Sequence, residues 1–258
     1  MMKQEISSIR VLGTRVDMVE IPGVISQMVD WIENDRDSCH HIVNSGMHGV
    51  MEGYRNPDLR IVFESVDLFA PDGILMVMLA RIKGFKISKK NTGPDVVSEF
   101  ARSANENGYS SYFYGDEEDV LQRLEKNLKA EFPKLKIVGH RSPPFRELTS
   151  EEIADDVEAI NQAAPDVLWV GLGMPRQEKW ISDNRAKLRV PVAVGAGAAF
   201  KFISRDVSRG PSWIRNIGFE WLWRLVGEPK RIWRRVFVDA PQFIGLVLLE
   251  MSGLKKFS

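Results

Sequence analysis

The sequence Val-Leu-Trp-Val-Gly-Leu-Gly-Met-Pro-Arg-Gln-Glu at residues 167–178 predicts a strand, a turn and a helix in succession. A short apolar run that ends in glycine is typical of a buried strand of a parallel sheet. Pro175 suits the first helical turn, because the N–H that proline lacks would be unpaired there. This segment therefore predicts one unit of an α/β protein.

Five further β-type runs occur along the chain, and they alternate with helical patterns. The runs cover residues 42–44, 68–70, 111–114, 136–138 and 190–194. Residues 120–131 and 149–163 have the spacing of amphipathic helices, and Thr149 with Glu152 forms a capping-box signature. Because strands and helices alternate, we expect a Rossmann-like, mostly parallel sheet flanked by helices on both faces.

Composition limits the class of protein. The 35 Lys and Arg residues balance the 35 Asp and Glu residues, so the chain lacks the basic excess of a dedicated nucleic-acid binder. The single cysteine, Cys39, excludes a disulfide framework and predicts a reducing compartment. No signal peptide or run of about 20 apolar residues is visible. We expect a cytoplasmic protein that is soluble or peripheral to a membrane, with no nucleic-acid partner.

The composition changes at about residue 205. Residues 205–235 hold eight Lys and Arg against three Asp and Glu, and they include four of the seven tryptophans. Tryptophan and arginine together suit the surface of an anionic membrane. We therefore expect a catalytic domain over residues 1–204 and a helical, basic and aromatic membrane-associating appendage over residues 205–258.

The residues that follow the predicted strands indicate a shared cleft, because ligands of parallel sheets bind at the carboxyl ends of the strands. Four of five such junctions place glycine within two residues of the strand end, although a plain turn at each remains an alternative. The junctions are Asn44-Ser-Gly46, Pro71-Asp72-Gly73, Gly115-Asp116, Gly171-Leu-Gly173 and Gly195-Ala-Gly197.

Two of these junctions suggest chemistry. Asp72 follows an apolar strand and precedes a helical run, so its carboxylate could accept a proton from a substrate hydroxyl. The alternative is an aspartate that caps the next helix. After Gly173, a helix start offers free amides to a phosphate, and Gln177 could hydrogen-bond a sugar or a base. The alternative is an ordinary strand-to-helix junction in which the Glu178 carboxylate interacts favourably with the positive end of the helix dipole.

Other motif-based functions are poorly supported. Gly171-Leu-Gly173 and Gly195-Ala-Gly197 lack the third glycine of a dinucleotide-binding fingerprint, and no P-loop or nucleophile elbow occurs. The four histidines have no metal-ligand spacing, and Asp35-Arg-Asp37 stands before a strand rather than after one, as expected of a solvated turn. We therefore expect no bound metal.

The chain resembles the WecG/TagA/CpsF family of bacterial glycosyltransferases, glycosyltransferase family 26, from about residue 11 to residue 235. The resemblance lies in the number, order and spacing of short motifs. They are Asn44, Pro71-Asp72-Gly73, Thr92-Gly93-Pro94-Asp95, Gly115, Gly171-Leu-Gly173 with Pro175 and Gln177-Glu178, Gly195-Ala-Gly197, Arg209 with Pro211 and Trp213, Glu220-Trp221-Leu222 with Arg224, and Glu228-Pro229 with Arg231, Arg234 and Arg235.

The resemblance implies a metal-independent, inverting transfer of a hexose or N-acetylhexosamine from a UDP-sugar to a polyprenyl-diphosphate-linked sugar. It places the reaction at the inner face of the cell membrane, in the synthesis of exopolysaccharide or teichoic acid, and leaves a homo-oligomer open. It assigns Asp72 as the base. The implied donor-binding residues are Asn44, Lys90, Gly93, Gly115, Gly173, Gln177, Glu178, Gly197 and Lys201, and those for the acceptor diphosphate and membrane are Arg224, Arg231 and Arg234.

Three positions depart from the pattern of the family. Ile42 stands where threonine is usual, Lys90 where arginine is common, and Lys201 where aspartate is frequent. Lys201 could pair with a diphosphate or point to solvent. Three other functions stay open at this stage: a non-catalytic nucleotide-sugar-binding module, a sugar-nucleotide hydrolase and a peripheral membrane scaffold.

Overall fold

The computed structural model describes residues 6–87, 91–211 and 220–257. The strands are β1 Ser8–Val11, β2 Thr14–Asp17, β3 His40–Ser45, β4 Leu68–Pro71, β5 Ser110–Gly115, β6 Lys136–Arg141, β7 Val167–Gly171 and β8 Val192–Gly195. The helices are α1 Ile21–Asn34, α2 Met47–Arg55, α3 Pro57–Ser65, α4 Ile74–Ile82, α5 Gly93–Asn107, α6 Glu118–Glu131, α7 Ser150–Ala163, α8 Arg176–Asn184, α9 Ala199–Ile203, α10 Glu220–Gly227, α11 Pro229–Arg234 and α12 Ala240–Met251, with a π-helical turn at Arg235–Asp239.

Strands β3 to β8 form one parallel sheet in the order β4-β3-β8-β7-β5-β6. This confirms the α/β fold and the parallel sheet predicted from the sequence. The predicted strands differ from the observed ones only at their ends. For example, β6 continues to Arg141 because residues 139–141 pair with residues 112–114 of β5.

Both faces of the sheet are buried. Alternate side chains of a strand point to opposite faces, so neighbouring residues of one strand enter different cores. Trp169 of β7 packs in a core with residues of α1, α5 and α6. Its neighbours Leu168 and Val170 join a different core with residues of α7 and α8. Val43 and Phe69 enter a third core under α2, α3 and α4. Helices therefore cover both faces, as the sequence predicts.

The sequence prediction missed the antiparallel hairpin of β1 and β2. Its two-residue turn consists of Leu12 and Gly13, both with positive φ (49° and 86°), and Leu12 is fully buried. Asp17 ties the hairpin to the sheet, because its Oδ2 accepts a 2.8 Å hydrogen bond from the Phe69 amide. The hairpin thereby closes the third core beside β4.

The C-terminal helices pack against the α/β body. Phe243 and Val247 of α12 lie in the third core, and the Glu250 carboxylate accepts a 3.1 Å hydrogen bond from the Leu12 amide. Arg55 pairs with Asp239 at 2.6 Å. The chain is not one continuous helix here, since α10 ends at Gly227 and α11 begins at Pro229. The domain boundary at residue 204 stays a prediction, and Trp213 lies outside the described residues.

No helix within residues 6–87, 91–211 and 220–257 is both long enough and apolar enough to cross a membrane.

Candidate active site

A cleft of about 730 Å³ opens at the carboxyl ends of β3, β4, β7 and β8. These four strands are neighbours in the sheet, so the loops that follow them converge at one edge. The first turn of α5 forms one wall, and the C-terminal helices close the cleft from above. The described lining residues are 44–48, 72–75, 92–94, 173, 174, 177, 195–199, 202, 221, 224, 232, 235, 236, 240, 241 and 244.

Asp72 lies in the cleft between β4 and α4, and it is the only acidic residue among the described lining residues. Its amide donates a 2.9 Å hydrogen bond to the Ser45 carbonyl, which joins the ends of β3 and β4. Gly46 permits this approach, because a Cβ there would lie 2.0 Å from the Asp72 carbonyl oxygen. Gly73, not Asp72, occupies the N-cap position of α4.

Asn44, the residue before the last of β3, lines the same cleft as Asp72. Its side-chain Oδ1 and Nδ2 are buried and have no hydrogen-bond partner among the described residues. A buried polar group without a partner is costly, and native proteins rarely leave one unsatisfied. The Asn44 amide therefore has one acceptor and two donors available to a bound ligand.

Gln177 holds together the loops that follow β7 and β8. Its Oε1 accepts hydrogen bonds from the amides of Gly173, at 3.1 Å, and Gly197, at 3.0 Å. Its Nε2 donates a 2.7 Å hydrogen bond to Glu178. The Gln177 side chain reaches the cleft, but most of its hydrogen-bonding capacity fixes the two glycine loops.

Glu178 lies beneath the cleft and is completely buried. Its Oε1 accepts from Gln177, while its Oε2 has no partner among the described residues. Burial raises the pKa of Glu178 from 4.5 to about 7, against the opposing effect of the Gln177 hydrogen bond. Gly195 leaves room for this pair, because a Cβ there would lie 2.8 Å from both Gln177 Nε2 and Glu178 Oε1.

Positive charge comes from the C-terminal helices. Arg224 of α10 lines the cleft with its guanidinium 5.1 Å from the centre of the Phe202 ring. Arg235, the first residue of the π-helical turn, lines the cleft as well. One carboxylate, that of Asp72 after β4, thus shares the cleft with the arginines Arg224 and Arg235. This arrangement suits a substrate with a hydroxyl group near an anionic group.

A family model described as "Glycosyl transferase WecG/TagA/CpsF family" matches residues 9–256. The chain belongs to this glycosyltransferase family. This confirms the resemblance found in the sequence, and it extends the match through α12.

Two curated relatives are similar over most of their length. Both are called N-acetylglucosaminyldiphosphoundecaprenol N-acetyl-beta-D-mannosaminyltransferase. The protein from Bacillus subtilis (strain 168) is 32% identical over 198 residues, which are 76% of this chain and 74% of the relative. The protein from Bacillus spizizenii (strain ATCC 23059 / NRRL B-14472 / W23) is 30% identical over 214 residues, which are 83% of this chain and 80% of the relative.

Most of the residues assigned through the family meet in the cleft. They are Asn44, Asp72, Gly93, Gly173, Gln177, Gly197 and Arg224. Gly115, Glu178, Lys201 and Arg234 are not among the lining residues. Lys90 lies outside the described residues, and so does the side chain of Arg231.

Three of the predicted site residues that do not line the cleft have other surroundings. Gly115 ends β5 against β7, where a Cβ would lie 2.7 Å from the Gly171 carbonyl carbon. Lys201 does not line the cleft; its side chain is partly exposed, and its Nζ lies 3.6 Å from the Asp116 carboxylate. Arg234 is exposed on α11. Ile42, a departure from the family pattern, is fully buried in the first core.

Among the lining residues that were not predicted to bind substrate, three have side chains suited to do so. His48 enters the cleft from the first turn of α2, and Trp221 and Arg235 enter it from the C-terminal helices. The motif Glu228-Pro229 with Arg231, Arg234 and Arg235 was the available signal for Arg235. The spacing of these arginines could not show which of them lines the cleft, because the π-helical turn changes the number of residues per helical turn.

Within the described residues, no group of three or more His, Cys, Asp or Glu side chains is placed to hold a metal ion. Asp35 of the Asp35-Arg-Asp37 sequence caps the end of α1, and its carboxylate contacts His40 Nε2 at 3.0 Å. Metal-independence stays a prediction.

Proposed function

We propose that this protein is an inverting glycosyltransferase that moves an N-acetylhexosamine or hexose from a UDP-sugar to a polyprenyl-diphosphate-linked sugar. The supporting observation is that Asp72, the single acidic residue of the described cleft lining, follows the end of β4 in the same cleft that Arg224 and Arg235 line. Family membership restricts the chemistry to glycosyl transfer.

In the proposed reaction, the Asp72 carboxylate takes the proton of the acceptor hydroxyl as its oxygen attacks the anomeric carbon. The bond from that carbon to the UDP oxygen breaks on the opposite face, and the electron pair leaves with UDP. Amides that follow Gly173 and Gly197, together with the arginines, are suited to stabilise the developing negative charge. Gln177 fixes the two glycine loops before substrate binds.

The two relatives suggest the substrates. Their names describe transfer of N-acetylmannosamine to N-acetylglucosaminyl diphosphoundecaprenol. We therefore propose this sugar and this acceptor first, within the synthesis of a cell-surface polysaccharide such as teichoic acid or an exopolysaccharide. A lipid-linked acceptor requires contact with a membrane, which we assign to residues 205–258 on the inner face of the cell membrane.

The experiment is a UDP-release assay with a panel of UDP-sugars, run with and without a short-chain N-acetylglucosaminyl diphospholipid. The proposal expects release that depends on the acceptor, a mannosaminyl product of inverted configuration, and no loss of rate with EDTA. Equal release without the acceptor would indicate a sugar-nucleotide hydrolase. Binding of UDP without release from any sugar nucleotide would indicate a non-catalytic binding module.

A further inference from the structure

Helix α4 exposes apolar side chains toward solvent. Ile74, Met78 and Ile82 follow one another at helical spacing and are 39%, 51% and 64% exposed. The opposite face is buried through Met76, Val77, Leu79 and Ala80. A surface helix of a globular protein normally carries polar residues on its outward face, so this exposed set, here called the α4 stripe, needs an explanation.

The α4 stripe begins at the mouth of the candidate active site. Ile74 lines the cleft together with Ile244 of α12. The outward face of α12 also exposes large apolar side chains, which are Ile244, Leu248, Leu249 and Met251, in addition to Gln242. Buried residues of both helices belong to the third core, so the two helices border the same region of the body. Two apolar faces from distant parts of the chain thus flank one opening.

The segment of sequence that carries the α4 stripe has positive charges only. Residues 73–94 contain five Lys and Arg and no Asp or Glu, although the chain as a whole has no net charge. Arg81, Lys83 and Lys86 are exposed at the end of α4. An apolar stripe with adjacent cations is the composition of a helix that lies on an anionic bilayer.

We propose that the α4 stripe and the outward face of α12 enter the hydrocarbon edge of an anionic membrane, with Lys83 and Lys86 at the headgroups. The mouth of the cleft then faces the bilayer, where the diphosphate of a lipid-linked acceptor lies. This inference rests on the proposed function for its acceptor, and it adds a membrane contact within residues 1–204. A second copy of the chain is a poorer occupant, because a two-fold interface would bring the same cations together.

The test measures cosedimentation of the full-length chain with vesicles of phosphatidylglycerol and phosphatidylcholine in about equal amounts. The variant is Met78→Glu/Ile82→Glu, whose residues do not line the cleft. The matched control is Ile61→Glu/Val138→Glu, which adds the same charge at exposed apolar positions on α3 and on β6, the strand at the far edge of the sheet. Circular dichroism and thermal unfolding establish that both variants fold.

We expect the α4 variant to lower the vesicle partition coefficient at least about tenfold, since burial of one such side chain in hydrocarbon is worth about that factor. The control variant should bind like the wild type, and vesicles of phosphatidylcholine alone should bind more weakly. Equal binding by the α4 variant and the control would overturn the proposal, and so would a wild type that does not bind these vesicles.

Two further measurements separate this proposal from its alternatives. Sedimentation velocity detects a second copy: a wild-type dimer that becomes a monomer in the α4 variant, with vesicle binding unchanged, would overturn the membrane assignment. Transfer to the short-chain acceptor in detergent-free solution should be the same in the α4 variant and the wild type. Failure of transfer in both refutes the proposed function, whereas vesicle binding is still measured independently.

Discussion

Arg209 holds the Asp95 carboxylate with two nitrogens, since Nη1 lies 2.5 Å from Oδ1 and Nη2 lies 3.1 Å from Oδ2. Nη2 also donates a 2.9 Å hydrogen bond to Thr92 Oγ1. Thr92 and Gly93 line the cleft at the start of α5, and Arg209 belongs to the segment that leads to the C-terminal helices. The ion pair therefore couples the position of that segment to one wall of the candidate site.

Arg209→Lys tests this coupling, because lysine cannot form a two-pronged contact with a carboxylate. We expect amide hydrogen exchange in residues 91–97 and 205–211 to accelerate about tenfold, as expected for the loss of one charge-assisted hydrogen bond. Arg205→Lys is the matched control, since Arg205 is exposed in the same segment. If both variants exchange like the wild type, the ion pair does not hold the segment in place.

Gln177→Ala removes three hydrogen bonds at once, two from backbone amides and one to Glu178. At about 0.5–1.5 kcal/mol each, we expect the free energy of unfolding to fall by about 2–4 kcal/mol and the donor KM to rise several-fold in the folded protein. Urea titration and initial rates measure the two effects. Gln162→Ala, which loses one exposed hydrogen bond to Glu158, should change neither. A change in KM without a loss of stability would show that Gln177 acts mainly on the donor.

The raised pKa of Glu178 predicts how stability depends on pH. In the unfolded chain this carboxyl titrates near 4.5, and in the folded protein burial moves its pKa to about 7. Between these values the unfolded state loses the proton first, so the free energy of unfolding falls as the pH rises from about 4.5 to about 7. Glu178→Gln cannot ionise, and urea titrations across this range should show a smaller slope.

Glu151→Gln, an exposed change in the first turn of α7, is the control for Glu178→Gln and should keep the wild-type slope. If Glu178→Gln also keeps that slope, the carboxyl does not hold its proton in the folded protein.

The sequence predicts the sheet well because its strands carry strong local signals. Residues 167–171 combine an apolar run with a glycine end, and the structure reproduces those bounds. The hairpin of β1 and β2 has no such signal. Its turn uses Leu12 and Gly13 rather than Asn-Gly or Asp-Gly, and the positive φ of Leu12 depends on burial that only the folded protein supplies.

The candidate site was predictable to a similar degree. Strand ends are visible in a sequence, so Asn44 and Asp72 could be placed in one cleft before the structure. The direction of a side chain near the strand end is set by tertiary contacts. Gln177 turns toward two backbone amides, and Lys201 turns toward Asp116. Neither contact has a counterpart in the local sequence pattern.

Asp72→Asn keeps the shape of the side chain and removes its ability to accept the proton. We expect turnover to fall by about 10²–10⁴, the usual contribution of a general base, with UDP affinity little changed. Asp67→Asn is the control at the other end of the same strand, where Asp67 pairs with Arg185 at 2.6 Å. That variant should lose stability but not turnover in the folded fraction.

His48 is the other side chain in the described lining that could take a proton, and its Nδ1 lies 4.0 Å from Glu52 Oε1 on the same helix. Because the proposal assigns the base to Asp72, His48→Gln should reduce turnover far less than Asp72→Asn. The reverse order of the two losses would assign the base to His48.

Arg234 and Arg235 are adjacent in the chain but face different surroundings. Arg235 lines the cleft at the start of the π-helical turn, whereas Arg234 is exposed at the end of α11. A hydrogen bond to a charged group contributes about 1.5–3 kcal/mol, so Arg235→Gln should raise the KM for a short-chain diphosphate acceptor by about 10–100-fold. Arg234→Gln removes the same charge outside the cleft and should leave that KM within about twofold.

Vesicle cosedimentation should show the opposite order of the two variants, because an exposed cation contributes about 1 kcal/mol at an anionic surface. Equal effects of the two variants on acceptor KM would mean that the arginines act through net charge alone. The position of Arg235 in the cleft would then have no separate role in acceptor binding.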